Sequence, residues 1–235
     1  MLATVTIILV IFLYFVLVNF NKQNKINNWR KSLDLDRHEQ HFTEIYNSVD
    51  GFAISRAARE NKDAPEYTYG EIVFTDFIAL LSMVKVNQDT VFYDLGSGTG
   101  KAVIACSMVF SNKKSYGVEI FNDLVAQSFV QQKKLAELQD YKSNAVKIKF
   151  FKNNYLQHNI NDANVIFINA TALFGESWEL VKQKLADVAP GTIVISSSKK
   201  INNHFFVLKK QTTVRMSWGA VIVYIHEKIL LNINS

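Results

Sequence analysis

Asp94 and Glu119 are the two carboxylates of this chain whose surroundings suggest chemistry. Asp94 closes an apolar run, Val91-Phe92-Tyr93-Asp94, and is followed by Leu95-Gly96-Ser97-Gly98-Thr99-Gly100-Lys101. The apolar run reads as a strand, the glycines as a tight turn, and Ala102 to Phe110 as an apolar helix. A helix N-terminus offers free amide donors, and glycines let backbone approach a ligand closely. Glu119 ends a second strand, Tyr116-Gly117-Val118-Glu119. There a carboxylate can accept from ribose hydroxyls. Strand, glycine turn, helix, strand and acid make a nucleoside-binding pattern.

The spacing of the glycines narrows the nucleoside. A phosphate loop needs Gly-Lys-Ser/Thr after four free positions, which this turn lacks. The dinucleotide fingerprint places its third glycine one residue later than Gly100. Asp-x-Gly-x-Gly-x-Gly suits a cofactor with no pyrophosphate and with an amino-acid tail, whose ammonium Asp94 can hold. S-adenosylmethionine has that tail. A plain glycine turn in an α/β protein is the competing reading, and Glu119 at the next strand end argues against it.

These residues need a scaffold. Strands fit Thr90 to Asp94, Ser115 to Glu119, Val146 to Phe151, Val165 to Asn169 and Gly191 to Ser196. Helices fit Lys101 to Phe110, Asp123 to Gln139 and Glu176 to Asp187. Such alternation predicts an α/β fold, a parallel sheet with helices on both faces. Val207 to Met216 and Ala220 to Glu227 are β-rich runs joined by Ser217-Trp218-Gly219, a hairpin that adds antiparallel strands to the sheet edge. A Rossmann-like sheet closed this way is the plan of a class I methyltransferase. Upstream, Val49 to Arg59 fits a short helix, Lys62 to Tyr69 a loop broken at Pro65, and Ile72 to Val84 a helix.

Composition sets bounds. The 235 residues suffice for one such domain with a short extension, and two prolines and nine glycines argue against a long disordered linker. The net charge of +5 is a modest excess with no basic block, so nucleic acid is not expected as a direct ligand. The lone Cys106 excludes an internal disulfide, and the five histidines show no metal-ligand spacing, so no metal site is expected. Met1 to Phe20 carries no charge, and twenty helical residues just cross a ~30 Å hydrocarbon core. This predicts a transmembrane anchor over 1–20, a polar stalk over 21–47 and a methyltransferase domain over 48–235. Lys22, Lys25, Arg30 and Lys31 follow the apolar run and none precedes it, which predicts a single-pass membrane protein with a cytoplasmic catalytic domain.

Further motifs occur in order. They are Tyr69-Gly70-Glu71, Phe74, the Asp94 turn, Tyr116 to Glu119, Val165 to Asn169, Phe174-Gly175, Ser196 to Lys199 and Ser217-Trp218. The set resembles the non-SET histone lysine methyltransferases of the disruptor-of-telomeric-silencing type, over residues 65 to 228. The resemblance implies S-adenosylmethionine as cofactor and a protein lysine as methyl acceptor. It implies that Asp94 and the Gly96, Gly98 and Gly100 backbone hold the methionine end, with Lys101 near its carboxylate. Glu119 is implied at the ribose, Tyr69, Gly70 and Glu71 in a closing loop, and Asn154 and Tyr155 at the adenine. Asn169, Trp218 and Tyr224 are implied at the transfer channel, where Asn169 either accepts from the amine or orients the cofactor's amino-acid end. The chain departs from the family at Ile72, Ala170-Thr171, Lys101, Asn154 and Val223. Most of these changes fall on the acceptor side. A small molecule or lipid headgroup as acceptor, or a non-catalytic cofactor-binding module, are the alternative readings.

Overall fold

The computed structural model describes residues 2–59 and 64–230, with side chains from residue 11 onward. Two compact units divide the chain, Met1–His41 and Phe42–Ser235. The helices are α1 (Leu2–Ser32), α2 (Leu35–Tyr46), α3 (Gly51–Ala58), α4 (Phe74–Leu81), α5 (Lys101–Val109), α6 (Asn122–Glu137), α7 (Lys142–Ala145) and α8 (Glu176–Ala186). The strands are β1 (Val91–Leu95), β2 (Lys114–Glu119), β3 (Ile148–Lys152), β4 (Val165–Ile168), β5 (Ile193–Ser197), β6 (Phe206–Met216) and β7 (Gly219–Lys228).

Strand order is β3-β2-β1-β4-β5-β7-β6. β1 to β5 are parallel, and β7 inserts antiparallel between β5 and β6. The chain steps outward from β1 to β2 and β3, then returns to the other side of β1 as β4. That reversal opens a crevice beyond the carboxyl ends of β1 and β4, where open α/β sheets bind ligands. Register aligns those ends, with Leu95 opposite both Val118 and Ile168. Asp94, Glu119 and Asn169 therefore meet at one rim.

Strand alternation sorts β1 between two faces. Val91, Tyr93 and Leu95 join Val118, Ile166, Ile168, Trp178, Val181 and Leu185 in one cluster. Phe92 points to the other face, where Phe77 of α4 packs edge-on against Phe92 and Phe167, with centroids 6.0 and 5.4 Å away. Asp94 shares the face of Phe92. A carboxylate in this otherwise apolar row is costly unless something compensates it.

Three boundaries differ from expectation for local reasons. β3 starts at Ile148 because Lys142–Ala145 coils into a helical turn, which leaves Val146 exposed. α4 starts at Phe74 because Ile72 bridges to Met216 and the Val73 amide donates to the Arg215 carbonyl, so these residues are extended. α3 begins at Gly51, where the Asp50 carboxylate accepts from the Ala53 amide and caps the helix.

The expected membrane anchor does not hold, nor does the orientation drawn from it. No helix among the described residues is long and apolar enough to cross a membrane. The described side chains of α1 are apolar from Ile11 to Val18 and at Phe20, with Asn19 between them. Asn21, Lys22, Gln23, Asn24 and Lys25 follow at once. Met1 and the side chains of residues 2–10 lie outside the described residues.

Candidate active site

A cavity of about 270 Å³ opens at the rim shared by β1, β2 and β4. Tyr69, Gly70, Glu71, Asp94, Gly96, Gly98, Lys101, Glu119, Asn154, Tyr155 and Asn169 all line it. These are most of the residues expected at the cofactor.

The turn after β1 is built on left-handed backbone. Gly96 has φ +85°, and the space where a Cβ would stand is open. Gly98 has φ +54°, and a Cβ there would meet the Tyr69 ring at 2.6 Å. Gly100 lies outside the cavity wall. Its φ is +83°, and a Cβ would strike the Phe150 ring at 2.5 Å, so this glycine serves the chain reversal and helix packing.

Glu119 is buried and accepts three backbone amides. Gly98 N donates to Oε2 at 2.9 Å, while Ile120 and Phe121 donate to Oε1 at 2.8 and 3.0 Å. Burial raises its pKa, and the three amides pull against that rise. Glu119 thus ties the β2 end to the glycine turn as well as facing the cavity.

Asp94 is buried and has no hydrogen-bond donor among the described residues. Burial, with the neighbouring Glu119 charge, pushes its carboxyl up to about 8. The Ser97 hydroxyl is also buried and unpartnered. A buried carboxylate without a donor is satisfied by a cationic ligand group, such as the ammonium of an amino-acid tail. Across the cavity the Asn154 Oδ1 accepts from the Leu156 amide at 2.9 Å, which leaves its Nδ2 as a donor beside Tyr155. An acid for an ammonium, an acid for ribose, and an aromatic with an amide for a base fit S-adenosylmethionine.

Tyr69-Gly70-Glu71 folds over the glycine turn. The Tyr69 hydroxyl donates to Glu71 Oε1 at 2.7 Å and contacts the Thr99 hydroxyl at 3.1 Å. Lys101 Nζ donates to Glu71 Oε2 at 2.5 Å and lies 5.2 Å from the centre of the Tyr46 ring. The Tyr46 hydroxyl donates to the Thr99 carbonyl at 3.0 Å. Lys101 is therefore engaged with the loop, and Tyr46 is a supporting residue that sequence reading missed. Lys101→Met keeps the stem and removes the charge from a half-buried pair. We expect cofactor affinity to fall about fivefold, near 1 kcal/mol, with faster hydrogen exchange at residues 69–72. Unchanged exchange would show that the pair does not hold the loop.

Trp218 and Tyr224 do not line the cavity. Trp218 covers the closing loop from outside, and a Cβ on Gly70 would meet its ring at 1.7 Å. Tyr224 sits within β7, opposite Ser196 of β5 and Gln211 of β6. Leu173, Phe167 and Met216 supply the apolar wall instead.

Comparisons with known proteins bear on the family and the fold. A protein-lysine N-methyltransferase of Saccharolobus islandicus is 30% identical over 125 residues, 52% of this chain and 70% of that protein. A histone-lysine N-methyltransferase of Candida albicans, H3 lysine-79 specific, is 30% identical over 60% of this chain, but the match spans only 11% of that protein. Among solved structures, a putative RNA methyltransferase from Pyrococcus horikoshii superposes with TM-score 0.53 at 14% identity, covering 77% of this chain and 99% of that one. The magnesium protoporphyrin IX methyltransferase of Synechocystis PCC 6803 gives TM-score 0.52 at 12% identity, covering 81% and 97%. At these identities the structures share the fold alone, which is that of class I methyltransferases. Residues 53–221 match the family described as "Histone methylation protein DOT1", and the chain belongs to that family.

Proposed function

We propose that this protein is an S-adenosylmethionine-dependent protein-lysine N-methyltransferase. The observation that carries the reading is the convergence of donor-free Asp94, Glu119 and the left-handed glycine turn at one rim, in a chain of this family. The cofactor supplies an electrophilic methyl group on a sulfonium centre. Asp94 holds the ammonium, Glu119 the ribose, and Tyr155 with Asn154 the base. Tyr69, Gly70 and Glu71 close the site and keep water out, with Trp218 bracing Gly70 from outside.

The cavity has the apolar Leu173, Phe167 and Met216 in its wall, where we place the acceptor amine. An amine entering it loses hydration, which lowers its pKa and favours the neutral, nucleophilic form. Alignment and desolvation supply the catalysis, so no side chain need act as general base. Acceptor specificity is tested with a protein extract whose lysine amines have been chemically acetylated. Methyl transfer to the untreated extract and loss of transfer after blocking support the reading. Transfer that persists after blocking points to another acceptor.

A further inference from the structure

Asn169 sits at the C-terminal end of β4 with its amide in a network of hydroxyls. Its Oδ1 accepts from Ser197 Oγ at 2.6 Å and from Thr171 Oγ1 at 3.0 Å. Its Nδ2 donates to the Gly70 carbonyl at 3.4 Å. Hydroxyls can act either way, so they alone would not orient an amide. The Gly70 carbonyl can only accept. A flipped amide would set oxygen against oxygen there, so Nδ2 must face Gly70.

The protons on the hydroxyls follow. The Ala170 amide donates to Ser197 Oγ at 3.1 Å, leaving the Ser197 proton for Asn169. Ser198, at φ +60°, brings its hydroxyl to 2.9 Å from Thr171 Oγ1. Its own amide is anchored on the Ile222 carbonyl at 2.7 Å. Left-handed backbone is costly for serine, so the surrounding hydrogen bonds hold it there. Thr171 Oγ1 also lies 3.2 Å from Ser197 Oγ, which already accepts the Ala170 amide, so we assign the Ser198 proton to Thr171 and the Thr171 proton to Asn169.

Both lone pairs of the Asn169 oxygen are thereby used inside the protein. Among the described residues one Nδ2 hydrogen has no partner, and Asn169 lines the cavity. Asn169 thus presents a donor to the cavity and no acceptor. A donor on the incoming amine would occupy the lone pair that attacks, so Asn169 is unsuited to face it. The acceptor that the reading above brings to this corner is the carboxylate of the cofactor's amino-acid tail.

We propose that Thr171 and Ser197 are positioning residues. They occupy the oxygen of Asn169, whose orientation the Gly70 carbonyl sets, so that Asn169 serves only as a donor to the carboxylate of the cofactor's tail and takes no proton from the amine. This rests on the cofactor reading above. Neither Thr171 nor Ser197 lines the cavity.

The test is calorimetric binding to the full chain, with two ligands. S-adenosylhomocysteine carries the amino-acid tail, and methylthioadenosine is the nucleoside without it. Thr171→Val keeps the shape and removes the hydroxyl. It should weaken S-adenosylhomocysteine about fivefold, the worth of one hydrogen bond, and leave methylthioadenosine unchanged. Thr171→Ser should restore wild-type binding. Equal weakening of both ligands, no weakening of either, or failure of serine to rescue would overturn the positioning role. A wild-type chain that binds neither ligand would instead overturn the cofactor reading, and this inference with it.

Discussion

Replacing Asp94 with asparagine is expected to abolish useful cofactor binding while making the empty protein more stable. In the folded protein the Asp94 carboxyl titrates near 8, against an ordinary value of 3.8. Between those values the folded state keeps a proton that the unfolded state has lost. Stability therefore falls as pH rises from about 4 to about 8, and is flat above. Asparagine removes this dependence, so Asp94→Asn should melt higher than wild type at pH 7 and equally at pH 4. Binding moves the other way. Loss of a buried charge opposite an ammonium costs about 3 kcal/mol, or ~100-fold in affinity. Wild-type Asp94 must also ionise to hold the ammonium, so binding at pH 7 should release close to one proton per cofactor. Calorimetry in buffers of different ionisation heats reads that proton directly. A variant that binds as well as wild type would sink the role given to Asp94.

Glu119→Ala is expected to be the most destabilising single change at the site. It strips the acceptor from the Gly98, Ile120 and Phe121 amides at once. Buried unpaired amides cost roughly 1–3 kcal/mol each, and the cavity admits some water, so we expect a loss of about 3 kcal/mol. For a chain of this size that lowers the melting temperature by about 6–12 °C. Glu119→Gln should fall between, because one oxygen can still serve Ile120 and Phe121 while its NH2 faces the Gly98 amide. Both variants should bind the cofactor weakly. An alanine variant that melts like wild type would show that Glu119 does not tie the strand end to the turn.

The parallel sheet and the hairpin were legible because their signals are local. Five apolar runs, their glycine punctuation and the paired β-rich segments read directly as β1 to β7. The cofactor end of the site was legible for the same reason, since strand ends bring Asp94 and Glu119 to one rim whatever the details of packing.

What escaped depended on contacts between distant segments. Phe42, Ile45 and Tyr46 fall in a polar stretch yet are buried, with Phe42 against Phe74 at 4.6 Å between ring centres. Their three- and four-residue spacing was the available clue. The ties among Asn169, Thr171 and Ser197 join β4 to β5 across 28 positions, which no motif spacing reveals. Trp218 carried a strong motif, but only the fold shows its ring covering Gly70 rather than lining the cavity. Met1 to Phe20 misled by composition. Lack of charge alone does not make a membrane span, and among the described residues no helix is long and apolar enough to cross a bilayer.

The central claim is methyl transfer to lysine, and its most direct test is the identity of the labelled product. The full chain is incubated with methyl-labelled S-adenosylmethionine and a protein extract, with Asp94→Asn alongside, and the protein is hydrolysed to amino acids. We predict label recovered as methyl-lysine and absent with the variant. Label confined to small molecules or lipid, or no transfer by a chain that binds the cofactor, would contradict it.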